Sequence, residues 1–206
     1  MLSMIAAAGM ALSIVATPAT AQDDRPSERI TVDVVTVNGS GCPAGTAAVA
    51  TASDNTAFTV TYSDYVAQVG RGADPTDMRK NCQLSLRVHI PSGFTYAIAQ
   101  ADYRGFAHLA HGAEATQQAS YYIQGTSPTR RSSHPIDGAY SDNWQFTDRT
   151  EVAELVYAPC GEERNLNINT ELRVNAGSSG SASSFVTMDS TDGAASTKYH
   201  FSWKRC

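Results

Sequence analysis

Charge is scarce in this chain. Only 17% of its 206 residues are Asp, Glu, Lys or Arg, and lysine is nearly missing, with 3 against 12 arginines. There is no basic excess: 15 basic residues stand against 20 acidic ones, for a formal net charge of -5. A nucleic-acid partner is therefore not expected, because nothing would displace counterions from phosphates. Cys-x-x-Cys does not occur, which argues against a zinc knuckle or a thioredoxin-type redox pair. Gly-x-Ser-x-Gly and the Gly-x-x-x-x-Gly-Lys phosphate loop are missing too, so neither a nucleophile elbow nor a nucleotide site is indicated. No segment keeps a 3.6-residue apolar period over three turns, so long helices are not expected. Disorder is equally disfavoured, since the net charge is modest and 42% of residues are hydrophobic.

The residues that are present define a compartment first. Residues 1–21 carry no charge. Met4 to Val15 is an apolar run too short to span a bilayer, which takes about 20 residues. Pro18 ends it, and Ala19-Thr20-Ala21 places small residues where a signal peptidase reads them. Residues 1–21 are thus expected to be an export signal, although no Lys or Arg precedes the apolar run. No later run is long and apolar enough for a stable membrane anchor. Residues 22–29 are polar and read as a flexible lead, and residues 30–206 as one secreted domain.

Cys42, Cys82, Cys160 and Cys206 are an even set in an exported chain, which points to two disulfides. Cys160 precedes a strand-like segment and Cys206 ends one, so antiparallel strands would bring them together. Cys160–Cys206 is therefore favoured, which leaves Cys42–Cys82. Each bridge would contribute about 3–4 kcal/mol by restricting the unfolded chain.

The mature chain alternates with period two. Leu84, Leu86, Val88 and Ile90 share one face, with Gln83, Ser85, Arg87 and His89 on the other. Similar patterns occur at residues 30–34, 58–62, 94–106, 119–124, 144–146, 152–157, 166–174, 184–188 and 198–204. Turn chemistry separates them, as at Asn38-Gly39-Ser40-Gly41 and Pro91-Ser92-Gly93. Residues 125–140 and 177–184 read as loops, and residues 107–115 could form one helical turn. About ten short strands punctuated in this way predict an all-β protein, an antiparallel β-sandwich of jelly-roll or immunoglobulin-like type, stapled by its disulfides.

Chemistry-bearing clusters are weak. His108, His111 and Glu114 superficially resemble a metal triad, but residues three apart on a strand face opposite sides. Asp189 to Gly193 opens like a calcium loop and lacks its distant bidentate Glu, so a hairpin turn fits as well. No metal, cofactor or catalytic residue is assigned.

Two surface features carry more weight. Asn165, Asn167 and Asn169 should line the polar face of one strand, where Asn is normally depleted. They would form either a hydrogen-bonding surface for a polar ligand or an amide ladder to neighbouring strands. Tyr140 and Trp144 follow a long polar loop and could stack on sugar rings, unless Trp144 fills the core. Of the adjacent Tyr121 and Tyr122, one should face outward. Trp203 reads as core.

Six ordered motifs add a resemblance. They are Gly39-Ser40-Gly41-Cys42-Pro43-x-Gly45-Thr46, Lys80-Asn81-Cys82-Gln83-Leu84, Pro159-Cys160-Gly161, Leu166-Asn167-Ile168-Asn169-Thr170, Met188-Asp189-Ser190 and Trp203-Lys204-x-Cys206. Together they resemble an exported family of bacteria and fungi, domain of unknown function 4360. The resemblance implies secretion, a cysteine framework and a single domain, and it supplies no activity or ligand. The functional expectation is a noncatalytic extracellular or cell-surface binding module for a glycan or cell-wall polymer. The alternatives are a hydrolase using acids or His108, His111 and Glu114, and a structural or inhibitor-type interaction protein.

Overall fold

The computed structural model describes residues 25–127, 129–188 and 196–206. The expected export segment and the Asp189–Gly193 turn lie outside the described residues.

Among these residues the chain forms twelve strands: β1 (Thr31–Asn38), β2 (Ala47–Thr51), β3 (Ala57–Tyr62), β4 (Val66–Val69), β5 (Arg79–His89), β6 (Phe94–Leu109), β7 (Glu114–Ile123), β8 (Arg130–Asp137), β9 (Tyr140–Arg149), β10 (Asn165–Asn175), β11 (Ser184–Thr187) and β12 (Thr197–Arg205). They build two antiparallel sheets. The first, sheet A, runs β1-β5-β10-β7-β8; the second, sheet B, runs β2-β3-β12-β6-β11-β4, with β9 also on β6. The expected all-β sandwich is the fold.

The alternation explains why the sheets stack. On sheet A, Leu84, Leu86, Leu166, Ile168, Leu172 and Val174 turn inward; on sheet B, Phe58, Val60, Tyr96, Ile98, Tyr199 and Phe201 do so, and all belong to one core cluster. Burying such a side chain fully stabilises the fold by about 1.5–3 kcal/mol. Trp203 is buried, as expected, and donates its indole N–H to the Asn55 carbonyl at 2.8 Å. Both expected disulfides form, Cys42–Cys82 and Cys160–Cys206. The first lies inside the core and the second is exposed.

Several elements depart from the sequence-based expectation. Residues 125–140, read as a loop, contain β8. Its Ser, Thr and Pro content is compatible with a strand because β8 is the edge of sheet A, where Pro135 can sit without breaking a central ladder. Residues 107–115 form no helical turn: β6 runs to Leu109, a tight turn follows with Gly112 at φ +81°, and β7 begins at Glu114. Residues 152–157 form no strand. Val152–Glu154 is a 3-10 turn, and the chain beyond it crosses the start of β6, where Thr95 Oγ1 donates to the Ala158 carbonyl at 2.6 Å. Residues 177–184 include a short 3-10 turn, Gly177–Ser179.

The lead is also held down where it is described. Asn55 is buried, and its Nδ2 donates to the carbonyls of Pro26 and Glu28 at 2.9 and 2.7 Å, while its Oδ1 accepts from the Ile30 N–H at 3.1 Å. One side chain thus ties residues 26–30 to the β3 end of sheet B, in place of a free lead.

Candidate functional site

Each sheet turns one face to solvent, and the two faces differ in how far their polar groups are committed. On sheet B, one group of outward side chains on β6, β9 and β12 satisfies itself internally. Asp102 accepts from Thr147 Oγ1 at 2.7 Å and from Gln100 Nε2 at 2.9 Å, and His200 Nε2 lies 2.7 Å from it. Partial burial alone would raise the Asp102 carboxyl, but the hydrogen bonds from Thr147, Gln100 and His200 outweigh it and hold the group below the usual carboxylate range. Near the far end of β6, Phe106 and His108 pack on Phe185, with ring centroids 5.9 and 5.8 Å away. His108 Nδ1 lies 3.1 Å from Ser141 Oγ.

Sheet A is different. Its central strand β10 buries Leu166, Ile168, Thr170, Leu172 and Val174, so Asn165, Asn167, Asn169, Glu171 and Arg173 must face outward. Register then sets their neighbours. Asn167 lies between Ser85 of β5 and Tyr122 of β7; Asn169 lies between Gln83 and Ser120, with Arg131 of β8 beyond Ser120; Glu171 lies between Asn81 and Gln118. These rows are about 7 Å apart along the strands, which are themselves about 4.8 Å apart.

The asparagine row is only partly a ladder. Asn165 Nδ2 donates to Ser85 Oγ at 3.1 Å, and in the neighbouring rows Gln118 Nε2 donates to Ser133 Oγ at 3.2 Å. Among the described residues, the side chains of Asn167, Asn169 and Gln83 make no hydrogen bond within the protein. Their donors and acceptors are available to a ligand without first breaking an internal bond. Around Asn169 the face forms a depression of about 270 Å³ lined by Arg79, Gln83, Gln118, Ser120, Arg131 and Glu171, among others. At one side of it, Glu171 accepts from Arg79 Nε at 2.8 Å, from Arg79 Nη2, and from Arg173 Nη2 at 2.8 Å. Burial would raise the Glu171 carboxyl, but the two guanidinium groups prevail and hold it low.

The residues named from sequence are thus divided by the structure. Asn165, Asn167 and Asn169 share one outward face. Tyr122 is the outward member of its pair and joins them, while Tyr121 turns inward, its hydroxyl 3.2 Å from Thr150 Oγ1. Trp144 does not present a stacking surface to solvent: it is 4% exposed. The cause is local. Trp144 pairs with Gly105 of β6 and lies against its bare backbone, where a Cβ would come within 2.5 Å of the indole. The indole also stacks on Phe146 with centroids 5.4 Å apart. Tyr140 is half-buried, and its hydroxyl donates to the Asn143 carbonyl at 2.7 Å. Tyr140 and Trp144 border a separate opening at the β8 and β9 edges, remote in sequence register from the asparagines. His108 and Glu114 lie on different sheets, and no group of three His, Cys, Asp or Glu side chains among the described residues could hold a metal. No helix there is long and apolar enough to cross a membrane.

Gln83, Ser85, Gln118, Ser120 and Arg131 were not singled out from sequence. The alternation of β5 already put Gln83 and Ser85 on a polar face, but their alignment with Asn167 and Asn169 depends on long-range register.

Residues 28–206 match the family model described as domain of unknown function, DUF4360. The chain belongs to this family. A family relative of known source is an "Uncharacterized secreted protein" of Arthroderma benhamiae, 33% identical over 179 residues, which cover 87% of this chain and 73% of that protein. The present family member is likewise a secreted protein, and its two formed disulfides suit that compartment. Among solved structures, TmCBM61 in complex with beta-1,4-galactotriose aligns over 86% of this chain and 88% of its own, at 12% identity and a TM-score of 0.28. That overlap is too low to transfer a ligand.

Proposed function

We propose that this secreted β-sandwich is a noncatalytic glycan-binding module, and that the outward face of sheet A is its binding surface. The observation that carries this reading is the set of uncommitted amides of Asn167, Asn169 and Gln83, which lie in register across β5 and β10. Amides offer both donors and acceptors, as hydroxyl-rich sugars require. Tyr122, alongside Asn167, adds an aromatic body with a polar tip, suited to a pyranose ring. On sheet B, by contrast, the Gln100, Asp102, Thr147, Arg149 and His200 side chains are already engaged with one another.

Retention on insoluble polysaccharides tests the reading. The double variant N167A/N169A should lose retention while its stability stays within about 0.5 kcal/mol of the parent, because neither side chain makes an internal hydrogen bond. Unchanged retention, or no retention of the parent on any glycan, would reject this surface. The Trp144→Ala variant is a poor probe: it removes a buried indole and is expected to cost about 3–5 kcal/mol of stability, measured by denaturant unfolding.

A further inference from the structure

Resting on that reading, we infer that the ligand is an acidic glycan, with a uronate carboxylate held by Arg131 while the amides take the ring hydroxyls.

Charge complementarity carries the inference. The protein as a whole is acidic, with a formal net charge of -5. The depression around Asn169 nonetheless carries two arginines, Arg79 and Arg131, against one carboxylate, Glu171. Those arginines do not have the same role. Arg79 is bound to Glu171, and Arg173 holds the second oxygen of the same carboxylate. Glu171 is thereby neutralised and cannot repel an incoming anion strongly. Arg131 is exposed on the edge strand β8, and among the described residues it has no carboxylate partner. Its register partner is Ser120, which stands directly beside Asn169.

A guanidinium fork matches a carboxylate through two parallel hydrogen bonds. The lining itself sums to one positive charge, Arg79 and Arg131 against Glu171, and Arg173 beside Glu171 raises the local total to two, so a carboxylate is accommodated without unbalanced negative charge. Its other polar side chains are all neutral, and three of them, Gln83, Ser120 and Asn169, make no internal side-chain hydrogen bond among the described residues and suit ring hydroxyls. One charged group amid several neutral ones is the pattern of a uronate, whose single carboxylate projects from a hydroxylated ring.

Calorimetric titration of the full secreted chain with polygalacturonate, and with the same polymer methyl-esterified, tests this. The inference requires at least about tenfold tighter binding to the free acid, weakening as salt rises. Arg131→Ala should abolish that preference, and Arg131→Lys, which keeps the charge but loses the fork, should restore it only in part. Equal affinity for acid and ester, an unaffected Arg131→Ala variant, or dextran sulfate bound as tightly as polygalacturonate would overturn it. Binding to neutral glycans alone, sensitive to N167A/N169A, would reject the acidic ligand and leave the glycan-binding surface standing. Binding to no glycan, acidic or neutral, would reject both.

Discussion

Replacing Cys160 and Cys206 by alanine is expected to lower the unfolding free energy by about 4 kcal/mol. The bridge closes a loop with a sequence separation of 46, and in the chain-entropy model a loop of that size contributes about this much by restricting the unfolded chain. Both cysteines are exposed, so little packing is lost with them. The Cys42–Cys82 pair closes a similar loop, of separation 40, but sits in the core. Its removal should cost the same chain entropy plus the loss of packing around two buried sulfurs. Domains of this kind are stable by only about 5–15 kcal/mol, so losing both bridges should leave little or no folded protein. Denaturant midpoints of the two double-alanine variants measure the difference, and the core pair should be the more damaging. A graded reduction should release the Cys160 and Cys206 thiols first, because reductant reaches them without opening the sandwich. An unchanged midpoint with all four thiols titrated would contradict this account.

Alkaline unfolding is the second large effect. Tyr62, Tyr65, Tyr96, Tyr103 and Tyr199 are each at most 4% exposed. Burial raises all five phenols above their ordinary value of 10, since a phenolate would have to form away from water. Only Tyr65 makes a hydrogen bond of good geometry, with its hydroxyl 3.1 Å from Thr170 Oγ1. The hydroxyls of the other four are left without such a partner, even though Thr170 and Thr197 lie near Tyr62 and Ser132 near Tyr103. The sign follows from proton binding. Below pH 10 both folded and unfolded chains keep these protons, and the stability is intact. Above it the unfolded chain releases them and the folded chain does not, so each group favours unfolding by about 1.4 kcal/mol per pH unit. Five groups together remove about 7 kcal/mol by one unit above pH 10, comparable with the whole stability of a domain. Phenolate absorbance should therefore show these tyrosines ionising in one cooperative step that coincides with loss of the far-ultraviolet β signal. Smooth ionisation of all nine tyrosines with the fold retained would contradict it.

How much of this was legible beforehand follows from the range of the interactions. Strands with strict alternation, such as β5 and β10, announce themselves, because one face must be apolar wherever the other meets water. The cysteine pairing came out as expected, but not for the expected reason. β10 and β12 lie in different sheets. Cys160 meets Cys206 because Ala158 and Cys206 both donate to backbone carbonyls at the start of β6, those of Tyr96 and Gly93. What could not be read was register. Asn167 and Asn169 were visible as an unusual row, but their alignment with Gln83, Ser85, Ser120 and Tyr122 depends on pairings across tens of residues. Edge strands were legible least. β8 carries Pro135, which a central strand would not accept, and no run of alternating apolar residues, and Arg131 was overlooked along with it. Trp144 misled for a different reason. Its exposure was decided by Gly105, a residue without a side chain on a distant strand.

The strand order of sheet B also bears on the timing of folding. β12 lies between β3 and β6, yet it follows both by a long stretch of chain. Until residue 197 and its successors arrive, β3 and β6 have nothing to join them, and each offers an open edge able to pair with another molecule. A chain synthesised from its N-terminal end therefore cannot complete its larger sheet piecemeal. Its emerging segments depend on late, long-range closure, the slowest kind. Cys206 directly follows β12, so its bond to Cys160 ties the end of this late central strand to the loop that precedes β10.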